Sequence, residues 1–244
     1  MSFLKLRRVG FAIGLGVMAC AAQAQINFFE NHDSGSSTFT QTAITGGNPW
    51  AMETNAANAH TSDTYWRLRE PSSISDSVLT SPTLNYTATT TGPVTLSFWH
   101  KFGFEFSDDS VGFDGGIVEL QINGGAWSNI GAGAFTTNGY THTISSSFSS
   151  PIGGQSAFSG NSPGFTTSDS TTNWINSIAM LNGFVAGDSF AIRFRGASDS
   201  SVSKNGWLID EISLTADAAP VPEPMSMLAL GIGALGVFAK KRRR

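Results

Sequence analysis

The residues of this sequence best placed to do chemistry are carboxylates in apolar company. In Trp207 to Leu214, strict alternation predicts Leu208, Asp210, Ile212 and Leu214 on one face of a strand. A carboxylate in such a row has to be paired, hydrogen-bonded or metal-bound, because burying an ionised group without a partner is too costly. Glu30, directly after Phe28 and Phe29, is a second acid among apolar neighbours. A third group is Glu105, Asp108, Asp109 and Asp114, in the stretch Gly103 to Gly116 that also holds Phe104, Phe106 and Phe113. It forms a candidate cation or ligand loop, against the plainer alternative of a solvated acidic loop. Calcium accepts carboxylate oxygens together with main-chain carbonyls.

Other chemistries find less support. Gly160-Asn161-Ser162-Pro163-Gly164 spells GxSxG, but a nucleophile elbow needs a strand before the serine and a helix after it, and here a polar Pro-Gly loop follows. The four histidines, His32, His60, His100 and His142, are scattered and form no HExxH pair. His100 continues the Val94, Leu96, Phe98 face and reads as a hydrogen-bonded core histidine. The single cysteine, Cys20, excludes a disulfide scaffold and any multi-cysteine metal site. The GxGxxG in Gly231 to Gly236 lies in an apolar run with no strand before it, so it lacks the context of a phosphate cradle.

The elements that must position these acids lie between two terminal signals. Lys5, Arg7 and Arg8, then the apolar Val9 to Ala22 and Ala22-Gln23-Ala24, predict a secretory signal over 1–24 with cleavage after Ala24. At the other end come Val221-Pro222-Glu223-Pro224, an apolar run over 225–239 and the basic tail 240–244. As a helix the run would span about 22 Å, short of the ~30 Å hydrocarbon core. It is expected to be a single short transmembrane helix, with its basic flank on the cytoplasmic side. This order of Pro-Glu-Pro, short Gly/Leu/Ala helix and Arg/Lys tail over 220–244 resembles the PEP-CTERM sorting signal. The resemblance implies export in a Gram-negative bacterium, exosortase as processing partner, transient anchoring in the inner membrane, and a setting of biofilm or exopolysaccharide. The chain's formal charge is −4. Residues 25–219 alone carry 6 basic and 17 acidic residues, a balance that suits divalent cations and disfavours nucleic acid.

The ectodomain, 25–219, reads as all-β. Val94, Leu96 and Phe98 alternate with Thr95, Ser97 and Trp99, and Phe190, Ile192 and Phe194 alternate with Ala191, Arg193 and Arg195. Gly116 to Asn123, Thr64 to Arg69, Tyr140 to Ile144 and Trp207 to Leu214 supply further strands. Ile175 to Phe184 fits a helical turn or a strand. A two-sheet jelly-roll sandwich is the architecture these short strands favour. In order along the chain come Phe29-Glu30, Leu79-Thr80-Ser81-Pro82, Leu96-Ser97-Phe98-Trp99-His100 and Phe113-Asp114-Gly115-Gly116. Val118-Glu119-Leu120, Gly124-Gly125-Ala126-Trp127, Arg193-Phe194-Arg195 and Gly206 to Ile212 follow. The series resembles the MAM-like, concanavalin-like jelly-roll module appended to secreted metallopeptidases such as immune inhibitor A. That resemblance implies a non-catalytic accessory or adhesive module, often with a structural Ca²⁺. With first and last strands brought together as in similar jelly rolls, Glu30 and Asp210 are the expected calcium ligands.

The functional expectation is an exported surface or matrix protein whose jelly roll adheres to extracellular polysaccharide or to matrix proteins. The alternatives are a glycan hydrolase or lyase using Glu105, Asp114 or Glu119, and a purely structural matrix protein. Most of the six tryptophans and 18 phenylalanines are expected in the core of a chain that lacks disulfides.

Overall fold

Strands with one apolar face and no covalent staples hide that face only by stacking sheet on sheet. A computed structural model of the protein describes residues 26–47, 50–61, 63–86, 92–107, 110–165 and 173–216. Ala24 and the signal segment, Asp108 and Asp109, and the sorting segment with Val221, Pro222, Glu223, Pro224 and the run 225–239 lie outside the described residues.

In chain order, the first strands are β1 (Ile26–Glu30), β2 (Thr40–Thr45), β3 (Trp50–Thr54), β4 (Thr64–Leu68), β5 (Ser75–Thr80) and β6 (Leu84–Asn85). Next come β7 (Val94–Gly103), β8 (Val111–Gly112), β9 (Gly115–Ile122), β10 (Ser128–Asn129), β11 (Phe135–Thr137) and β12 (His142–Ile144). The last are β13 (Ser156–Ala157), β14 (Ile175–Leu181), β15 (Ser189–Ser198) and β16 (Gly206–Ala216). The larger sheet runs β11-β14-β7-β16-β4-β3, and β1 also pairs with β16. The second runs β10-β9-β15-β5-β2, with β6 also on β15. A small third sheet, β13-β12-β8, was foreseen only in β12, which falls within the strand expected over Tyr140 to Ile144; β8 and β13 have two residues each and no measurable alternation. It lies over the outward side of the second sheet, where Ile144, Ile152 and Ala157 cover Ile117 and Ala197. Ile175 to Phe184 resolves as a strand: β14 pairs with β7 along its whole length, from Ile175 opposite His100 to Leu181 opposite Val94.

The two inner faces meet in an aromatic core. Phe158 stands within 6.1 Å, centroid to centroid, of Phe98, Phe102, Tyr140 and Trp207. Such tilted and edge-on pairs favour the aromatic quadrupoles as well as burying area. His100 sits inside this cluster, fully buried, its Nδ1 accepting the Trp207 indole N–H at 3.0 Å and its Nε2 2.7 Å from Ser177 Oγ. Burial pushes its pKa down to about 3, so it is a neutral core histidine. Trp50, Trp66, Trp174 and Trp207 are buried; Trp99 and Trp127 are only partly covered.

One strand departs from simple alternation. In β16 the register with β7 slips between Asp210 and Ser213, and Glu211 takes φ 44°. Such a bulge turns the following side chains over. Ile209 and Ile212 therefore both face the core, while Leu208 packs with Tyr65 and Trp174 on the outer side. Asp210 thus does not share a core face with Ile212 and Leu214, as unbroken alternation predicts.

Candidate functional site

The structure gathers carboxylates at one pole of the sandwich, and it draws them from four separate connections. Glu70 follows β4, Glu105 follows β7, Asp114 precedes β9 and Asp199 follows β15. Close packing sets Asp114. A Cβ on Gly115 would lie 2.7 Å from the Phe158 carbonyl oxygen, and one on Gly116 would lie 2.3 Å from the Trp207 ring. Only glycine lets this backbone press against the core, and it carries Asp114 inside with it. The Asp114 carbonyl accepts the Ser159 hydroxyl at 2.6 Å, which fixes the segment further. The Glu105 carbonyl accepts the Phe113 N–H at 3.0 Å, so the two ends of the loop are tied together.

One carboxylate oxygen each from Glu105, Asp114 and Asp199 lies within 4.8 Å of the other two. The Glu70 carboxyl stands beside that of Asp114. Asp114 Oδ1 accepts the Asp199 N–H at 2.5 Å, and Glu70 Oε2 accepts the Lys204 N–H at 2.9 Å. Glu70 Oε1, Glu105 Oε2 and Asp114 Oδ2 are buried with no donor of the chain against them. Asp114 is 0% exposed, Asp199 3% and Glu70 7%. Burial, and then the Asp114 carboxyl, push the Glu70 pKa up to about 10. Burial followed by the charges of Asp114 and Asp199 raises that of Glu105; Asp114 is raised by burial and by Asp199. The arrangement has two chemical outlets: share protons, or hold a cation.

Two of these four acids, Glu105 and Asp114, belong to the loop singled out in the sequence. Asp108 and Asp109 lie outside the described residues. Glu70 and Asp199 were missed, since each is an isolated acid next to Pro71 or within a Ser/Asp run. Their only signal was position immediately after a strand, which becomes useful once strand order is known.

Glu30 and Asp210 lie on the paired first and last strands, Glu30 opposite Ile212. Both oxygens of Glu30 are taken by the Ser37 and Thr38 hydroxyls, with the Thr38 N–H at 2.9 Å as well, and His32 Nδ1 stands 3.2 Å away. Burial raises the Glu30 pKa, but the bonds from His32, Ser37 and Thr38 outweigh it and hold the group below the usual carboxylate value. Asp210 Oδ2 accepts the His60 and Thr61 N–H groups at 3.1 and 3.3 Å, and Oδ1 accepts the Glu211 N–H at 2.8 Å. Burial lifts its pKa to about 6 against these bonds and against the His32 charge. His32 is thus an electrostatic neighbour of both acids. A cation held by this pair would have to take over oxygens that protein donors already occupy.

Ser162 of the GxSxG stretch is buried, and its Oγ accepts the Phe102 N–H at 3.1 Å; it closes a turn onto β7. Glu119 lies on the outward side of the second sheet, 2.5 Å from Arg193 Nε and 3.2 Å from Arg195 Nη1. Arg195 also grips Asp76 with two nitrogens at 2.8 and 2.7 Å. Trp127, delivered by the Asn123-Gly124 turn (φ 51° and 66°), covers Arg193 with the guanidinium carbon 4.4 Å from its ring centroid. A separate open cleft of about 570 Å³ lies between β9 and β14, lined by Leu120, Ile122, Ile130, Met180 and Leu181.

No helix among the described residues is long and apolar enough to cross a membrane. No curated protein matches the chain. Among solved structures, the CBM22-1 xylan-binding domain of Xyn10C from Paenibacillus barcinonensis is 11% identical, covers 83% of this chain and 100% of its own, and scores TM 0.41. The K3 cleaved adhesin domain of Lys-gingipain from Porphyromonas gingivalis w83 is 12% identical, with 80% and 100% covered and TM 0.38. The glycoside hydrolase domain of Endo-D from Streptococcus pneumoniae R6 is 12% identical over 72% of this chain at TM 0.40, and this chain spans only 21% of that one. None of the three is an immune inhibitor A-type module. Residues 220–244 match the PEP-CTERM protein-sorting motif. The chain carries that motif at its C-terminus, which marks an exported protein sorted to the cell surface.

Proposed function

We propose that this protein is an exosortase-processed surface adhesion module that holds extracellular polysaccharide on the outward side of its β9-β15-β5 sheet. The observation that carries the reading is the Trp127–Arg193 stack, set in the row Glu119, Arg193, Arg195 and Asp76. A half-covered tryptophan offers a ring on which a sugar can stack. The partly exposed Arg193 and Arg195 beside it present guanidinium N–H groups to sugar hydroxyls, and the buried Glu119 and Asp76 hold those guanidiniums in place. The row is internally neutralised, so it is polar without repelling an acidic or neutral glycan.

The same geometry speaks against hydrolysis at two of the three acids expected for it, Asp114 and Glu119. A glycosidase needs two carboxyl groups facing each other across a cleft that admits a sugar ring. Asp114 is fully buried, and Glu119 is locked between two arginines. In this reading the module serves biofilm or exopolysaccharide by binding, without turnover.

The test is affinity electrophoresis and a glycan array with the full chain in mild detergent, including exopolysaccharide from the producing organism. Trp127→Ala is expected to weaken binding at least tenfold, about 1.4 kcal/mol, with the melting temperature nearly unchanged. Binding to no glycan, or equal binding by wild type and Trp127→Ala, would sink the proposal. Capture of a matrix protein instead, through the apolar cleft between β9 and β14, would replace the glycan by a protein partner.

A further inference from the structure

We propose that Glu70, Glu105, Asp114 and Asp199 form a calcium site that pins four connections together at one pole of the sandwich. The inference is independent of what the outer face binds. A cluster of acids is not by itself a site, since solvated acidic loops are common. This one differs in two respects: it is inside the protein, and three of its oxygens have nothing to bond. Asp114 is fully buried with Oδ2 unpartnered, and Glu70, 7% exposed, has Oε1 unpartnered. Buried polar atoms in folded proteins are normally satisfied, and each orphan calls for an explanation.

The donor set selects the ion. All the side-chain ligands are carboxylate oxygens, which favours a hard cation over zinc or copper. One carboxylate oxygen each from Glu105, Asp114 and Asp199 lies within 4.8 Å of the other two, close enough for a single ion to bridge them. Calcium also tolerates irregular geometry, which suits ligands arriving from four unrelated loops.

Charge points the same way. The carboxylates of Glu105, Asp114 and Asp199 face one another with that of Glu70 beside Asp114, and the exposed Lys204 is a cation whose field reaches Glu105. Calcium would occupy the space between the orphaned oxygens. Gly115 and Gly116 hold Asp114 against the core, so the site is built before the ion arrives and little ordering is left to oppose binding.

The experiment uses the full chain in mild detergent, stripped with chelator. Calcium at about a hundred times its dissociation constant is expected to raise the melting temperature by roughly 5–10 °C. Calorimetry at pH 7 should show about one calcium ion bound per chain. Asp114→Asn keeps Oδ1 to accept the Asp199 N–H but removes the charge. Its chelated form should melt at or above the wild-type temperature, and it should lose the calcium shift and the calorimetric binding signal. Glu105→Gln, at the less buried edge, keeps the test open should Asp114→Asn misfold; it should weaken calcium at least tenfold. A wild type indifferent to calcium would overturn the site, and so would variants that respond as wild type does.

Discussion

At Glu30 and Asp210 every carboxylate oxygen meets a donor of the chain, whereas at Glu70, Glu105 and Asp114 three oxygens meet none. Both groups are acids drawn out of water by the same sandwich. The difference lies in what the local chain offers. Beyond Glu30 the chain turns back through Ser37 and Thr38, two hydroxyls and an amide aimed at one carboxylate. Opposite Asp210 the connection after β3 presents consecutive N–H groups at His60 and Thr61. The acidic pole offers less: the Asp199 and Lys204 amides reach Asp114 and Glu70 and Ser201 serves Asp199, but one oxygen each of Glu70, Glu105 and Asp114 meets no donor. Self-sufficient carboxylates hold a fold together, and insufficient ones require something from outside.

The sharpest way to break this contrast is Asp114→Asn against Asp210→Asn. Asp114→Asn is expected to weaken calcium at least a hundredfold, about 2.7 kcal/mol, while leaving the metal-free protein as stable as before or more so. Should Asp210→Asn abolish the calcium response instead, the ion belongs at Glu30 and Asp210 and the comparison is inverted.

Gly116→Ala tests how the acidic pole is built. Its Cβ would meet the Trp207 ring at 2.3 Å, and overpacking of this kind costs about 1–3 kcal/mol. Chemical denaturation should show that loss, and calcium should bind more weakly because Asp114 is displaced.

Asp210→Asn turns an amide toward three N–H donors. A loss of about 1–3 kcal/mol is expected, read by denaturant melts, with the calcium shift intact. Thr38→Val, which removes one hydroxyl from Glu30, should cost about 1 kcal/mol with the calcium shift again intact.

pH separates the regions by sign. Glu70 holds its proton in the folded protein up to about pH 10, while in the unfolded chain it titrates near 4.5. Its contribution is therefore complete below 4.5 and is lost as pH rises toward 10, by up to about 1.4 kcal/mol per pH unit. Glu105, raised by burial and by the charges of Asp114 and Asp199, adds to that loss, and Lys204 opposes it there. Glu30, held below 4.5, contributes above that value and loses its contribution as pH falls. Asp210, raised to about 6, has finished its own loss by then, and His100, lowered to about 3, matters only below 6.5. Between pH 7 and 9 the metal-free protein should thus lose melting temperature steadily. Calcium should flatten that slope, and a slope unchanged by calcium would count against the acidic pole.

Sequence carried the sandwich well wherever alternation was long. β7, β9, β15 and β16 were legible from period-2 patterns, and His100 was placed in the core from its row alone. In the small third sheet only β12, inside Tyr140 to Ile144, was legible, since β8 and β13 have two residues each. The bulge at Glu211 was invisible because positive φ at a glutamate leaves no trace in residue type, and the face assigned to Asp210 went wrong there. Of the acidic pole, Glu105 and Asp114 were legible because they sit together in one loop. Glu70 and Asp199 are distant in sequence and meet them only through strand order, β4 and β7 flanking β16 in one sheet and β9 beside β15 in the other. The terminal sorting signal was fully legible, since it is a linear motif that a processing enzyme reads as a linear motif.

The most direct test is a crystal structure grown in calcium, with anomalous data collected at long wavelength. The account predicts a calcium peak about 2.3–2.6 Å from carboxylate oxygens of Glu105, Asp114 and Asp199, with Glu70 against it. No peak at that pole, or a peak between Glu30 and Asp210 alone, would contradict it.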